Sequence, residues 1–305
     1  PMKPNTIIGH DDIQNSLLSL LRTERLPHAL LFHGPKGVGK RHVADVLARI
    51  LIAGQQGDGF IYQTDNPAYK QLEAGMSPSL FVLEKEKTVI KVEQVREVLS
   101  MLTLKDENRR VVIVDAAEDL NTSSMNAILK NLEEPGENIH FILVSHNISK
   151  LLPTIISRCR QFRFAPLNNK QTKQVLQNEG VEPTEELLTL SKGCPGQAIE
   201  HGTSAVDILA QLKNFLEQGK VVSSDITQWA EQCARDKKTE IALTTFKTEI
   251  ARQAKQAKQP EKALALTKAY NNIEQATQNV AKLNITPQLA LETSLAHVIS
   301  SINGN

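Results

Sequence analysis

Cysteine, aromatic side chains and long apolar runs are all scarce in this chain of 305 residues. Its three cysteines lie far apart, which excludes a disulfide framework and a CxxC zinc pair and predicts reduced, structural thiols. No run approaches the roughly 18 apolar residues that span a bilayer, and the first residues contain no apolar signal core. These absences predict a cytoplasmic protein with no membrane contact.

A strong charge of either sign is also absent. The chain has 35 basic and 34 acidic side chains, so its formal net charge is only +1. Because no strong field would draw the molecule to nucleic acid, any DNA contact must be local or shared with partners. With 40% hydrophobic residues, the chain is long enough for two or three packed domains.

Short apolar runs alternate with helical periodicity in the first half of the chain. Strands are predicted at 28–33, 80–84, 111–115 and 139–144, and helices at 11–21, 39–52, 92–102 and 121–132. This alternation predicts an α/β domain with a mostly parallel sheet flanked by helices. Residues 54–78 have no convincing period, which predicts an irregular loop or variable insertion.

Strand-like runs stop after residue 164, and Pro166 marks a predicted boundary. The sequence predicts three parts: an α/β core over 1–165, a small unit of three short helices over 166–204, and an all-α bundle over 205–305.

A phosphate-binding loop is predicted at Gly34–Lys40, which has the spacing G-x-x-x-x-G-K between a predicted strand and a predicted helix. Backbone N–H groups at Gly34, Gly37 and Gly39 would curl around phosphate oxygens, and Lys40 would reach the β and γ phosphates. The alternative is a glycine-rich turn that binds nothing.

The hydroxyl that normally follows such a lysine and holds magnesium is missing. Arg41 occupies that position, and no serine or threonine lies between Thr23 and Thr64. A guanidinium repels a cation, so phosphate affinity is expected to survive while magnesium-assisted hydrolysis is impaired.

Asp115 ends a run typical of the strand that supplies a second magnesium contact in P-loop ATPases. The next residue, where hydrolysing ATPases place a glutamate, is Ala116. Glu118 and Asp119 are predicted in the first turn of the following helix, where acidic residues are favoured. For Asp115, a capping carboxylate at a strand end is an equally good interpretation.

Three segments together carry a resemblance to a known family: LPHALLFHGPKGVGK at 26–40, VVIVDAAEDLNTSSMNAILKNLEEPGENIHFILVSHN at 111–147 and LLPTIISRCRQF at 151–162. In this order and spacing the chain resembles the AAA+ clamp-loader subunits of replication, and within them the delta prime subunits of bacterial DNA polymerase III. The resemblance implies an AAA+ core, then a helical lid and a collar-type domain through which such subunits form a ring.

The resemblance also implies roles for individual residues. Arg158, in Ser157-Arg158-Cys159, matches an arginine finger that acts in trans on the ATP of a neighbouring subunit; the alternative is a surface arginine paired with a carboxylate. Ser145 falls at the sensor 1 position, although a buried serine satisfied by backbone groups is an equal alternative. Gln197 stands where active relatives have a sensor 2 arginine.

The family further implies cofactors and partners. Many such subunits carry a four-cysteine zinc module, but residues 41–110 contain no cysteine, so no zinc and no other metal is expected. No cofactor is required, and ATP or ADP is the ligand that the degenerate loop would take. The implied partners are motor and clamp-opening subunits in a hetero-oligomeric ring, with primed DNA and the sliding clamp reached through the complex.

The sequence therefore favours a non-motor clamp-loader subunit that hydrolyses ATP poorly and contributes to a polymerase holoenzyme without a polymerase site of its own. The alternative within AAA+ is an active motor subunit or a replication-associated remodeller. A P-loop kinase or nucleotide switch is disfavoured, because neither explains Arg158 or the helical last third.

Overall fold

The computed structural model describes residues 7–103, 108–217, 223–282 and 285–303. The chain divides into two compact units. The first contains Pro1–Glu182 with Gly193–Gly196, and the second contains Pro183–Lys192 with Gln197–Asn305.

The first unit is an α/β domain. Its elements are α1 (Asp11–Arg22), β1 (Ala29–His33), α2 (Lys40–Ala53), α3 (Pro67–Glu73), β2 (Leu80–Glu84), α4 (Val92–Leu102), β3 (Arg110–Asp115), α5 (Thr122–Glu133), β4 (Ile139–Ser145), α6 (Pro153–Arg158), β5 (Arg160–Arg163) and α7 (Asn169–Asn178). Single 3-10 turns lie at Ala117–Asp119 and Ile148–Lys150. All five strands are parallel, in the order β2-β3-β4-β1-β5.

The sheet is buried on both faces because its central strands are apolar on both sides. In β1, Leu30 and Phe32 belong to one hydrophobic cluster while Ala29 and Leu31 belong to a second. The carboxyl ends of β1, β3 and β4 meet at one edge, where His33 pairs with Ser145 and Asp115 pairs with Val144. The predicted α/β architecture is confirmed.

The prediction for residues 54–78 is wrong in part. Gln55 and Tyr62 form an antiparallel bridge, and α3 begins after Asn66, whose side chain accepts a hydrogen bond from Ala68 N at 2.8 Å. Phe60 and Tyr62 are buried in the same cluster as the P-loop helix α2. The segment therefore forms part of the core. Its large apolar side chains show no helical or strand periodicity in the sequence, because a turn separates them from α3.

The second unit is helical. It comprises α8 (Glu185–Ser191), α9 (Pro195–Glu217) from Gln197 onward, α10 (Ser223–Arg235), α11 (Thr239–Gln256), α12 (Pro260–Lys282) and α13 (Pro287–Asn303). Apolar residues of α9 to α13 form a third cluster, around Leu212, Phe246, Ile273 and Leu295.

Two details of the predicted helical region are corrected. The third short helix is instead the beginning of α9, which is continuous over 23 residues, so the predicted boundary at 204/205 falls inside a helix. The spacing of Leu289, Leu295 and Val298 predicts one apolar stripe on α13, but Leu289 is 52% exposed while the other two are buried. The three-part domain division stays a prediction.

The three cysteines are thiols that take part in no disulfide, and they are buried, one in each hydrophobic cluster. Cys194 lies in the cluster containing α2, Cys159 in the cluster on the other face of the sheet, and Cys233 in the helical unit. Burial raises the pKa of Cys159 to about 12 and that of Cys233 to about 11. Such thiols are poor nucleophiles at neutral pH.

Two features are absent from the described ranges. No helix within them is long and apolar enough to cross a membrane. The same residues contain no group of three or more histidine, cysteine and acidic side chains able to hold a metal ion.

Candidate functional site

The predicted phosphate loop connects β1 to α2 at the carboxyl edge of the sheet. Gly34 has a φ of 149°, and a Cβ there would lie 2.3 Å from the carbonyl oxygen of Phe164. Gly39, the N-cap residue of α2, has a φ of 105°. The loop is also tied to the start of α9, because Gly196 N donates to the Gly37 carbonyl at 2.8 Å. The strand, loop and helix context predicted for this motif is confirmed.

Lys40 is folded back into its own loop. Its ammonium donates hydrogen bonds to the carbonyl oxygens of Gly34 at 2.7 Å and Pro35 at 2.6 Å, and the residue is only 2% exposed. Burial lowers the pKa of Lys40 to about 8, against the attraction of Asp115 and Glu118. The lysine is thus placed in the interior of the loop, where a phosphate would be bound.

Arg41 is held by carboxylates from three elements. Its Nε donates to Asp45 Oδ1 at 3.1 Å, and its NH1 group contacts both Glu84 and Asp115 Oδ2, the latter at 3.2 Å. Burial alone would lower the pKa of Arg41, but Asp45 and Glu84 outweigh it and raise the pKa above its usual value. The guanidinium therefore keeps its charge and offsets part of the negative charge of these three carboxylates.

Asp115 lies at the end of β3, as predicted, but its partner is Arg41 rather than a helix end. P-loop ATPases bind magnesium between a hydroxyl after the loop lysine and an aspartate on this strand. Here the first position is an arginine and the second is paired with that arginine. The guanidinium thus occupies the place between the two positions that would otherwise hold the cation.

Glu118 and Asp119 lie in the first turn of the helical element that follows β3, as predicted, but that element is not α5. Both lie in the 3-10 turn Ala117–Asp119, and the next helix, α5, begins only at Thr122. Glu118 Oε1 accepts the backbone N–H groups of His146 at 2.8 Å and Asn147 at 3.1 Å, so it fixes the loop after β4.

Ser145 is fully buried at the end of β4, next to His33 of β1. Its Oγ makes no hydrogen bond within the described part of the chain, contrary to the alternative that backbone groups satisfy it. This placement at the carboxyl edge is what a sensor 1 residue requires, and the role itself stays a prediction.

Sequence reasoning missed three residues at this edge. Asp45 and Glu84 hold Arg41, and His10 Nε2 lies 2.9 Å from the Val38 carbonyl oxygen in the loop. Burial lowers the pKa of His10, so the neutral ring is favoured. Only Asp45 had a sequence signal, its i+4 spacing from Arg41 on a predicted helix.

Arg158 is the last residue of α6, just before the edge strand β5. Its NH1 group donates to the Thr154 carbonyl at 2.9 Å, and its NH2 group forms an ion pair with Glu133 at the end of α5. Its side chain is 33% exposed. Within this chain Arg158 pairs with a carboxylate, and its action on a neighbour's ATP stays a prediction. Gln197 lies in α9, and its sensor 2 assignment also stays a prediction.

The sheet order, the glycine loop after β1 and the acidic end of β3 define a P-loop protein of the AAA+ class. A family model described as "DNA polymerase III, delta subunit" matches residues 9–168, which is more than half of the chain. The chain belongs to this family, as the resemblance predicted.

The chain is similar to several known proteins. It is 36% identical to DNA polymerase III subunit delta' of Pseudomonas aeruginosa over 222 residues, 66% of this chain and 65% of that protein. It is 30% identical to the subunit delta' of Bacillus subtilis over 174 residues, covering 56% of this chain and 52% of that protein. Thus each match spans less than two thirds of the relative's length.

A solved structure of a DNA polymerase III gamma subunit-related protein from Thermotoga maritima has a similar fold. Its TM-score is 0.50 at 14% sequence identity, and the match covers 93% of this chain and 98% of that one. At this identity the likeness concerns the fold alone.

Proposed function

We propose that this chain is a non-motor subunit of the sliding-clamp loader of DNA polymerase III, which turns over ATP poorly and supplies Arg158 to a neighbouring subunit's ATP. The observation that carries the proposal is the placement of Arg41 between Asp45, Glu84 and Asp115. The family and the relatives named subunit delta' support the same assignment.

The charge of Arg41 opposes magnesium-assisted hydrolysis in this chain. Magnesium neutralises the growing charge on the transferred phosphate and bridges its oxygens. In this chain a cation would have to displace a guanidinium that three carboxylates hold. The protein therefore retains a phosphate-type loop while the position of the metal is filled by a side chain.

The position of Arg158 supports its role as an arginine finger. Arg158 ends a short helix beside the edge strand β5, and one third of its side chain is exposed to solvent. A guanidinium delivered to a γ-phosphate in trans offsets charge in the transition state, and such fingers contribute roughly 10³ to 10⁵ in rate.

The remaining assignments follow the same proposal. The partners would be motor and clamp-opening subunits in a hetero-oligomeric ring, in the cytoplasm, with primed DNA and the sliding clamp engaged through the whole complex. ATP or ADP would be the ligand of the degenerate loop, and no zinc would be needed.

The test is to assemble the chain with its motor subunits and compare DNA-stimulated ATP turnover for the wild type and Arg158→Ala. We expect turnover to fall at least about 10-fold at the neighbouring site, whereas the matched control Arg160→Ala, an exposed arginine two residues away, should leave it unchanged. Unchanged turnover with Arg158→Ala would refute the finger.

The competing function, an active AAA+ motor or remodeller, makes a different prediction for the isolated chain. Such a protein would hydrolyse ATP with magnesium in the absence of partners. Its turnover would be about 1 s⁻¹ or more, as is typical of enzymes. We expect turnover indistinguishable from background.

A further inference from the structure

We propose that Glu133 is a positioning residue for Arg158, fixing the guanidinium so that its unused N–H groups face outward to an anion on a partner. The inference rests on the proposed function, because it concerns the geometry of the finger. The ion pair joins two helix ends: Glu133 is the last residue of α5, and Arg158 is the last residue of α6.

A carboxylate is unexpected at the position of Glu133. The carboxyl end of a helix carries partial negative charge, so an acidic side chain is disfavoured there and a basic one is favoured. Arg158 supplies the compensating positive charge through its ion pair with Glu133. The ion pair therefore offsets the unfavourable position of Glu133, whereas Arg158, at the carboxyl end of α6, is where a basic side chain is favoured.

Some N–H groups of the Arg158 guanidinium donate hydrogen bonds within the chain, and others are left for a partner molecule. The Nε of Arg158 is buried and has no hydrogen-bond partner within the described residues. Its NH1 group donates to the Thr154 carbonyl at 2.9 Å and, in a long contact of 3.5 Å, to Ser157 Oγ, while its NH2 group contacts Glu133. Each terminal nitrogen carries two N–H groups. A phosphate would therefore take the second N–H of NH2 and, by displacing the long contact with Ser157, the second N–H of NH1, and such a pair binds a phosphate in bidentate fashion.

The helix ends do not need the ion pair to stay together. Leu132 of α5 and Ile155 of α6 are both buried in the same hydrophobic cluster, with 1% and 0% of their surface exposed. Glu133 itself is about half exposed. Removing its carboxylate should therefore release the guanidinium while the packing of α5 against α6 persists.

The experiment uses the assembled complex and measures ATP turnover against ATP concentration. For Glu133→Ala we expect the maximal rate to fall roughly 3- to 30-fold, because a loosely held catalytic group loses its alignment. The ATP concentration at half-saturation should change less than about 2-fold, because the finger acts in the transition state. Glu133→Gln keeps an acceptor oxygen and should restore part of the rate.

The matched control is Glu134→Ala, which removes the same charge one residue further along at an exposed position. It should leave both parameters unchanged. In an Arg158→Ala background, Glu133→Ala should have no further effect, because the two residues act as one unit. The thermal unfolding midpoint of each variant, expected within about 2 °C of the wild type, excludes a general loss of structure.

Failure of this inference is distinguishable from failure of the proposed function. If Arg158→Ala lowers turnover and Glu133→Ala behaves like Glu134→Ala, the positioning role is refuted and the finger survives. If Arg158→Ala itself has no effect, the proposed function falls. An equal loss in the Arg158→Ala background would also overturn the inference, since Glu133 would then act elsewhere.

Discussion

Arg41 shows how one side chain can replace an ion. A guanidinium has a fixed planar fork, so it can pair with Asp45, Glu84 and Asp115 from different directions, as a small cation would through coordination. The sequence predicted that Arg41 disfavours magnesium. It could not predict the two additional carboxylates, because Glu84 is distant in sequence and only the pairing of β2 with β3 brings it beside Asp115.

Replacement of Arg41 by threonine should expose this acidic cluster. We expect Arg41→Thr to lower the free energy of unfolding by roughly 1–3 kcal/mol, because partly buried carboxylates lose their partner. Millimolar Mg²⁺ should restore part of that loss, since a hydroxyl and Asp115 would both be available to the ion. Urea unfolding with and without Mg²⁺ measures both effects.

The control for this variant is Arg22→Thr, which breaks the exposed ion pair with Asp58. Such pairs contribute little, so neither stability nor its magnesium dependence should change appreciably. If Arg41→Thr were insensitive to Mg²⁺, the view that Arg41 occupies the place of a cation would be wrong.

Because the pKa of Lys40 is lowered in the folded chain, the free energy of unfolding should depend on pH. The unfolded chain holds this proton up to about pH 10.5, whereas the folded chain releases it from about pH 8. Because the unfolded state binds more protons in that window, stability rises with pH there. Relative to Lys40→Met, the wild type should therefore gain stability between about pH 8 and pH 10, by at most about 3 kcal/mol.

Unfolding titrations across this range, compared between the two proteins, isolate the contribution of Lys40. Lys36→Met, an exposed lysine in the same loop, is the control and should run parallel to the wild type. A difference between wild type and Lys40→Met that stays constant with pH would contradict the predicted burial of the charge.

At the scale of elements, long periodic segments were predictable and short irregular ones were not. The helix predicted at 92–102 and the strand at 139–144 are observed nearly to the residue, because each presents a full period of apolar side chains. The segment 54–78 was not, since its core residues Phe60 and Tyr62 are presented by a turn. The helix break that the glycines at 193 and 196 predict is observed, because α8 ends at Ser191 and α9 begins at Pro195.

The turn that carries Tyr62 should contribute to stability without a metal. Tyr62 is fully buried, stacks on Tyr69 at 5.2 Å and lies beneath the guanidinium of Arg49 at 5.8 Å. We expect Tyr62→Ala to lower the free energy of unfolding by about 3–5 kcal/mol, as for other large buried aromatic side chains. Denaturant unfolding measures this.

Two controls separate packing from metal binding in this segment. Ile61→Ala changes the neighbouring residue, which is 38% exposed, and should cost much less. A chelator should leave the unfolding midpoint of the wild type unchanged; a marked decrease would show that the segment binds a structural metal and that the prediction of no zinc is wrong.

For the whole molecule, the family was predictable because three separate motifs occur in one order, and no single motif was sufficient. The intersubunit role of Arg158 could be suggested only through that resemblance. Within its own chain, an arginine that acts on another molecule differs from an ordinary surface arginine in no feature other than its exposure and charge. The ion pair with Glu133 could not be predicted, because it depends on two helix ends that are 25 positions apart in sequence meeting in space.

The distribution of the three cysteines gives the protein a set of internal reporters. Each thiol is enclosed by a different hydrophobic cluster, so its alkylation by a small reagent requires that cluster to open. Cys159 and Cys194 lie against opposite faces of one sheet, and we expect them to become reactive at the same denaturant concentration. Separate thresholds for these two, measured by pulsed labelling and mass spectrometry, would contradict this. Cys233 should become reactive when the helical unit unfolds. The native sequence therefore contains one thiol that reports the unfolding of each hydrophobic cluster.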